Sequence, residues 1–211
     1  VEIVAWVSAI GSEQAPEVDL LTLNRTQVDS TLARCPDAPS AARMEQLVRE
    51  VLADKDSIGG VVSCVCRNLP AGWGEPVFDK LDALLAQAML SLPATKGFEI
   101  GSGFAGTQLR GSEHNDAFVM KGDRLGTASN HAGGVLGGIS NGEPVQFRVA
   151  FKPVATIGRA QKTADFAGNP VELAAKGRHD PCVVPRAVPI VETMTALVLL
   201  DLALRQEARG V

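Results

Sequence analysis

In the first part of the chain, some runs of hydrophobic residues have the pattern of strands and others have the spacing of helices. The run 1–7 is rich in β-branched residues and predicts a strand, and the run 58–66 predicts a second one. Between them, apolar positions three and four residues apart predict a short helix over 26–35 and a longer helix over 40–52. The first quarter of the chain therefore has the mixed periods of an α and β protein.

A stronger helical pattern of apolar residues follows, and a glycine-rich region comes after it. Pro76 is expected to open this helix and Pro93 to end it. Its apolar face carries Leu81, Leu84, Leu85, Ala88 and Met89. Residues 97–142 then hold twelve of the 21 glycines. Because each glycine inside a helix costs about 1 kcal/mol relative to alanine, we expect short strands and shaped loops there.

The last third of the chain returns to regular periods. Apolar residues alternate over 145–151, which predicts a half-buried strand. A hairpin is predicted to join 163–166 to 171–174. The run 188–206 is apolar nearly all round and predicts a buried helix. Helices mixed with hairpins predict an α+β fold rather than a doubly wound parallel sheet.

Composition narrows the class of protein. The 211 residues are 45% hydrophobic and 21% charged, which is typical of a globular domain. A net charge of -4, 4% aromatic residues and no tyrosine argue against nucleic acid as a partner. The four cysteines do not make a disulfide scaffold and favour a reducing compartment.

The start of the chain predicts no targeting segment. Residue 1 is valine and the first nine residues already have a strand pattern, so we expect neither a signal peptide nor a transit segment. Either the chain was processed from a longer protein, or the sequence is only part of a longer protein. The apolar run 190–204 is interrupted by Glu192 and Asp201, so no membrane span is predicted.

Two glycine clusters resemble nucleotide-binding loops only superficially. Residues 101–106 match G-x-G-x-x-G, but the following residues, 107–116, are poor helix formers, so a dinucleotide site is not expected. A glycine-shaped loop against a ligand or a subunit fits better. Residues 133–138 hold four glycines without the Lys-Ser/Thr of a phosphate-binding loop, and either tight packing or close backbone approach explains them.

Metal chemistry has little support. Cys64 and Cys66 share one face of a predicted strand, but no C-x-x-C pair or nearby histidine accompanies them. His114, His131 and His179 lie far apart in the sequence and lack the spacing of metal ligands. We therefore predict no metal site.

Charge is concentrated near the end of the chain. Residues 144–186 hold seven Lys or Arg and three acidic residues, a local charge of +4 in a chain of -4. This window suits a small polyanion such as a phosphate ester or a carboxylate. The alternative is an ordinary solvated basic face.

The sharpest cluster in this window is Arg178-His179-Asp180, just before Pro181. A cation, an imidazole and a carboxylate are consecutive there. Alternatively, Asp180 is only a turn residue and Arg178 its ion-pair partner.

The run from Arg178 to Glu192 resembles the C-terminal signature of the chorismate synthase family. Further runs similar to the family are 91–104, 111–116, 129–142 and 151–153. The resemblance covers essentially all of the chain, in order, and is closest to plant and cyanobacterial members.

The resemblance implies a lyase of the shikimate pathway. Such an enzyme converts 5-enolpyruvylshikimate 3-phosphate to chorismate by anti-1,4-elimination of phosphate. Reduced FMN (FMNH2) is required although the reaction has no net redox change. The family is associated with NADPH, with homotetramers, and with a sandwich of helices between antiparallel sheets. The compartment is a bacterial cytoplasm or a plastid stroma.

The resemblance also assigns site residues. Those expected to bind FMN are Pro93, Ala94, Gly137, Lys152, Pro153, Val154, Ala155, Thr156 and Arg178. Arg178 and Asp180 are expected to be catalytic, with Arg178 between flavin and substrate and Asp180 beside the flavin N5, where it assists proton removal. A carboxylate near an arginine stays ionised and can act as a base.

Two departures from the family are visible. Val154 stands where family members usually carry a hydroxyl residue after the Lys-Pro pair, so the phosphate hydrogen bond of that hydroxyl is not expected here. The chain also lacks the family's N-terminal Gly-Glu-Ser-His-Gly motif, its second catalytic histidine and several substrate-binding arginines. It is therefore interpreted as the C-terminal part of a single domain, 1–211. Either the missing segment completes the enzyme, or this part is an inactive FMN-binding or structural fragment.

Overall fold

A computed structural model gives the structure of residues 1–210, in which eleven strands and five helices are numbered in chain order. The strands are β1 (Glu2–Ile10), β2 (Glu13–Gln14), β3 (Gly60–Arg67), β4 (Thr95–Ile100), β5 (Phe118–Lys121), β6 (Arg124–Thr127), β7 (Val135–Leu136), β8 (Ile139–Ser140), β9 (Val145–Phe151), β10 (Gln161–Ala164) and β11 (Pro170–Leu173). The helices are α1 (Arg25–Val28), α2 (Ala38–Ala53), α3 (Leu81–Leu90), α4 (Gly111–His114) and α5 (Val184–Arg209).

One antiparallel sheet of five strands, in the order β2-β1-β3-β9-β4, organises the chain. Its central strands β3 and β9 are rich in valine, phenylalanine and cysteine, and their side chains are buried on the face toward α5. The alternation over 145–151 gives β9 with the predicted bounds. The α+β fold predicted from the sequence is confirmed.

Helix α5 is longer and less buried than its sequence pattern predicts. It starts at Val184 rather than Val188, and it packs on β1, β3 and α3. These neighbours cover only one side, so the prediction of a fully buried helix is wrong. Leucines and an isoleucine on the opposite side remain between 47% and 57% exposed, namely Ile190, Leu197, Leu200 and Leu204. By length and composition alone α5 resembles a membrane span, a property that it shares with core helices of other proteins.

Several other predicted bounds differ from those of the structure. The helix expected over 26–35 begins at Arg25, where Asn24 and Gln27 form an N-terminal capping box, and it already ends at Val28. The helix expected from Pro76 begins only at Leu81, after a single 3₁₀ turn. The predicted hairpin forms, but its strands are β10 and β11, two residues and one residue earlier than expected.

The outer edge of β1 is covered by side-chain and loop contacts. Only Ala9 and Ile10 of β1 pair with β2, so the remaining backbone donors need other acceptors. The N–H of Ala5 donates to the Glu192 carboxylate of α5 at 2.8 Å, and the N–H of Val7 donates to the carbonyl of Arg34 at 2.9 Å. Helix α5 and the loop after α1 therefore close this edge.

The glycine-rich region contains two short ribbons, β5–β6 and β7–β8, and a loop held by Asp116. The Asp116 carboxylate accepts hydrogen bonds from the Ser129 hydroxyl at 2.7 Å and from the N–H groups of His131 and Ala132 at 2.8 and 2.9 Å. Burial by itself raises the pKa of the Asp116 carboxyl, but these three donors together bring it below its ordinary value. The charged form of Asp116 therefore stabilises the fold.

We predict that Asp116→Asn lowers the free energy of unfolding by about 1–3 kcal/mol at pH 7, because an amide cannot accept all three bonds. A lowered folded-state pKa contributes stability above the unfolded pKa of about 4, and that stability is lost as pH falls through the folded value. The stability difference from the parent protein should therefore shrink below pH 4.

Denaturant unfolding from pH 3 to pH 8 measures this difference. The matched control is Asp123→Asn, which changes an exposed aspartate in the turn between β5 and β6. Equal stability of the Asp116 variant and the control at every pH would show that the carboxylate does not hold the loop.

Candidate active site

The end of β9 brings three separate parts of the chain together. Phe151, its last residue, pairs with Gly60 at the start of β3 and with Thr95 at the start of β4. Since both neighbours run antiparallel to β9, the segments that precede β3 and β4 meet the segment that follows β9. The candidate site is built from these three connections.

The first component is the phosphate loop, defined as Lys152–Thr156. The N–H of Lys152 donates to the carbonyl of Ala94 at 2.9 Å, which fixes the loop to the turn before β4. The Lys152 side chain is half-buried, and its ammonium donates to the carbonyl of Pro153 at 3.2 Å. Within residues 1–210 no carboxylate pairs with this ammonium. It is therefore a cation available to an anionic ligand.

The turn at Pro93 and Ala94 carries backbone strain. Ala94 has φ +68°, in the left-handed region that costs a residue with a Cβ about 1–2 kcal/mol. Its carbonyl is held by Lys152 and its neighbour Thr95 is already in β4, so the surroundings enforce the conformation. Strain of this kind is concentrated at binding sites, which agrees with the role that the resemblance gives to this turn.

The second component is the connector, residues 54–59 between α2 and β3. The Ser57 hydroxyl donates to the carbonyl of Val154 at 2.6 Å. A Cβ on Gly59 would lie 2.2 Å from the carbonyl oxygen of Phe151, so only glycine permits this close approach. The connector is therefore packed directly against the phosphate loop.

The third component is the aspartate segment, Arg178–Pro181. The N–H of Ile58 donates to the carbonyl of Pro181 at 2.8 Å, so the connector also binds this segment. The Asp180 carboxylate pairs with Arg186 at 2.8 Å. The expected alternative, in which Arg178 is the partner, is wrong: Arg186 lies in the first turn of α5, which follows the segment directly. Arg178 is exposed and has no acidic partner among the described residues.

Of the seven basic residues in the window 144–186, three form ion pairs. Arg148 pairs with Glu99, Arg159 with Asp56, and Arg186 with Asp180. The remaining four have no acidic partner within residues 1–210, namely Lys152, Lys162, Lys176 and Arg178. Two of them, Lys152 and Arg178, belong to the candidate site.

Gly137 lies away from the other residues that the resemblance assigns. The neighbouring carbonyl of Gly138 accepts from the N–H of Leu81, at the beginning of α3. Pro93 and Ala94 follow the end of the same helix, whose ten residues are about 15 Å long. Within one chain the structure does not bring Gly137 to the phosphate loop.

Sequence reasoning missed a cavity on the sheet face opposite α5. This cavity has a volume of about 550 Å³, and Ser63, Gln146, Arg148 and His131 line it. It does not include Lys152 or the aspartate segment. Its polar side chains come from neighbouring strands at alternate positions, a pattern that the apolar period of β9 concealed.

Two histidines that are distant in sequence meet beside this cavity. The rings of His114 and His131 lie 5.5 Å apart, and Ser102 is 2.8 Å from Nε2 of His114. Among residues 1–210, no three histidine, cysteine or acidic side chains form a group able to hold a metal ion. The four cysteines are buried and free. Burial raises the pKa of the Cys64 thiol well above its ordinary value, so a thiolate ligand is disfavoured.

Comparison with known proteins identifies the family. The family model described as chorismate synthase matches residues 1–204. Chorismate synthase of Synechococcus sp. (strain WH7803) is 59% identical over 209 residues, which are 99% of this chain and 58% of that protein. Chorismate synthase of Opitutus terrae is 58% identical over 99% of this chain and 57% of its own length.

A solved structure gives the same result for the fold. The crystal structure of a chorismate synthase superposes with a TM-score of 0.76 at 28% identity, covering 97% of this chain and 57% of the other. The chain thus spans a little under three-fifths of the length of these relatives. Because the family model covers nearly every residue and close relatives share more than half of them, the chain belongs to the chorismate synthase family.

Proposed function

We propose that this chain is the C-terminal part of a lyase that eliminates phosphate from 5-enolpyruvylshikimate 3-phosphate to give chorismate, with reduced FMN as cofactor. Membership of the family and the name of the relatives support the reaction. The observation that carries the proposal is the meeting of the phosphate loop, the Pro93–Ala94 turn and the aspartate segment at one end of the sheet.

The residues present fit a flavin phosphate. Lys152 is a half-buried cation without an acidic partner in the described chain, next to a turn held in a strained conformation. A charge-assisted hydrogen bond from such an ammonium to a phosphate is worth about 1.5–3 kcal/mol. Val154 supplies no hydroxyl, so the loop depends on Lys152, on its backbone donors and on the exposed Thr156.

The site residues divide the chemistry between them. The reaction removes one proton and one phosphate from the substrate and changes no net oxidation state. Asp180, which is paired with Arg186, is the base that accepts the proton. Arg178 offsets the negative charge of the substrate and of the departing phosphate. Reduced FMN, when bound, would supply electron density beside the ring from which phosphate departs.

Three finer features belong to the same proposal. We propose a homotetramer, in which the backbone at Gly137 closes on the flavin ring while Lys152 holds the flavin phosphate. The flavin is reduced at the expense of NADPH, directly or through another protein. The protein works in a bacterial cytoplasm or a plastid stroma, without nucleic acid or membrane as partner.

We predict that Lys152→Ala weakens FMN binding about 10- to 150-fold, the range expected for loss of one charge-assisted hydrogen bond, while turnover at saturating FMN changes less. Fluorescence titration of flavin into the full-length protein that contains this chain measures the affinity. Lys162→Ala is the matched control, because Lys162 also lacks an acidic partner in the described chain but lies on β10. Unchanged affinity in the Lys152 variant would remove the phosphate loop from the cofactor site.

We predict that Asp180→Asn lowers turnover about 10²- to 10⁴-fold and leaves FMN affinity within a few-fold, because an amide cannot accept the proton. The control Asp201→Asn breaks another arginine pair of 2.8 Å, with Arg205 in the same helix. Phosphate release under anaerobic conditions is the assay. Turnover near that of the parent protein would exclude Asp180 as the base.

The alternative function is an inactive FMN-binding or structural fragment. We predict that residues 1–211 alone release no phosphate, because the family's catalytic histidines and several substrate-binding arginines are absent from the chain. The exposed side of α5 should also favour aggregation. The assay combines the purified chain, its mass verified, with chemically reduced FMN and substrate. Repeated turnover would contradict this prediction.

Mass spectrometry of the protein from cells distinguishes the two functions. An intact chain mass near 22 kDa without a companion fragment would favour the alternative.

A further inference from the structure

Ser57 makes a contact that neither the sequence motifs nor the comparisons assign. Its hydroxyl donates to the carbonyl of Val154 at 2.6 Å, across 97 residues of sequence. Val154 is the loop residue that lacks the family's hydroxyl. The contact thus falls at the position where the phosphate loop departs from its family.

Ser57 does not itself replace the missing phosphate donor. A serine hydroxyl has one proton, and this one is donated to the Val154 carbonyl. The effect of the bond is instead on the orientation of the peptide group between Val154 and Ala155.

A trans peptide group is planar, and its C=O and N–H point in opposite directions. Because Ser57 holds the Val154 carbonyl toward the connector, the N–H of Ala155 is turned away from the connector. That N–H has no acceptor within residues 1–210. An unpaired backbone donor four residues beyond the end of β9, in the same loop as Lys152, is suited to an anion.

We propose that Ser57 is a positioning residue for the cofactor phosphate: by holding the Val154 carbonyl, it aims the Ala155 N–H at the phosphate and compensates for the hydroxyl that Val154 lacks. This inference rests on the proposed function, since it assumes that the loop binds FMN. The connector's second contact, from the Ile58 N–H to Pro181, uses backbone atoms and remains when the Ser57 side chain changes. Ser57 therefore acts on cofactor binding and not on the base.

The test compares FMN with riboflavin, which has the same ring system and no phosphate. In the full-length protein that contains this chain, Ser57→Ala should weaken FMN binding about three- to tenfold, the effect of one neutral hydrogen bond. Riboflavin affinity, and turnover at saturating reduced FMN, should stay within twofold of the parent protein. Ser57→Thr keeps the hydroxyl, so its FMN affinity should equal that of the parent protein.

Ser30→Ala is the matched control, because the Ser30 hydroxyl donates to the Gln27 carbonyl at 2.7 Å, far from the site. Its FMN affinity should not change. If Ser57→Ala does not fold, Ser57→Cys tests the same bond with a weaker donor of similar size and should weaken FMN in the same direction.

Equal loss of FMN and riboflavin affinity in the Ser57 variants would overturn the inference, because a general structural role affects both ligands. FMN affinity equal to that of the Ser30 control would also overturn it. Loss of FMN binding in Lys152→Ala without an effect of Ser57→Ala would refute this inference and leave the proposed function standing. Unchanged FMN affinity in both variants would remove the loop from the cofactor site and refute both.

Discussion

The antiparallel pairing of β9 with both β3 and β4 is the constraint on which the candidate site depends. Phe151 lies opposite the first residue of each neighbour, so the end of one strand and the beginnings of two others coincide. A slip of one residue on either side would move the phosphate loop relative to the Pro93–Ala94 turn and exchange the two faces of β9. The buried alternation of β9 fixes the register and, through it, the site.

The connector contacts the end of β9, the phosphate loop and the aspartate segment, and so holds them together. Gly59 permits backbone contact with Phe151, Ser57 holds Val154, and Ile58 holds Pro181. Loop residues that bind ligands need such support, because a site displaced by about 1 Å loses much of its affinity or rate. Here the support comes from the connector, which lies between α2 and β3. This arrangement explains how the phosphate loop and the aspartate segment, which are distant in sequence, are held together.

The sequence pattern predicted helices and strands well where they depend on residues that are close together in the chain. The bounds of β9 follow from its alternation, and the glycine density of 97–142 correctly excluded long helices. The pattern failed for α5, because an apolar helix does not reveal how many neighbours will cover it. Motif resemblance assigned Lys152 and Asp180 to the site, and this assignment stays a prediction. The sequence could not predict the contacts of Ser57 and Arg186 or the separation of Gly137 from the phosphate loop. These are tertiary features, and they produce no periodic pattern or spacing along the chain.

Hydrogen exchange of the full-length protein, with and without FMN, tests most directly where the cofactor binds. Exchange reports amide protection segment by segment and does not depend on turnover. We expect FMN to slow exchange in 154–156 and in 178–180 and to leave exchange in the lining of the cavity, near His131 and Arg148, unaffected. Protection at the cavity, with no change in 154–156, would contradict the assignment of the cofactor to this end of the sheet.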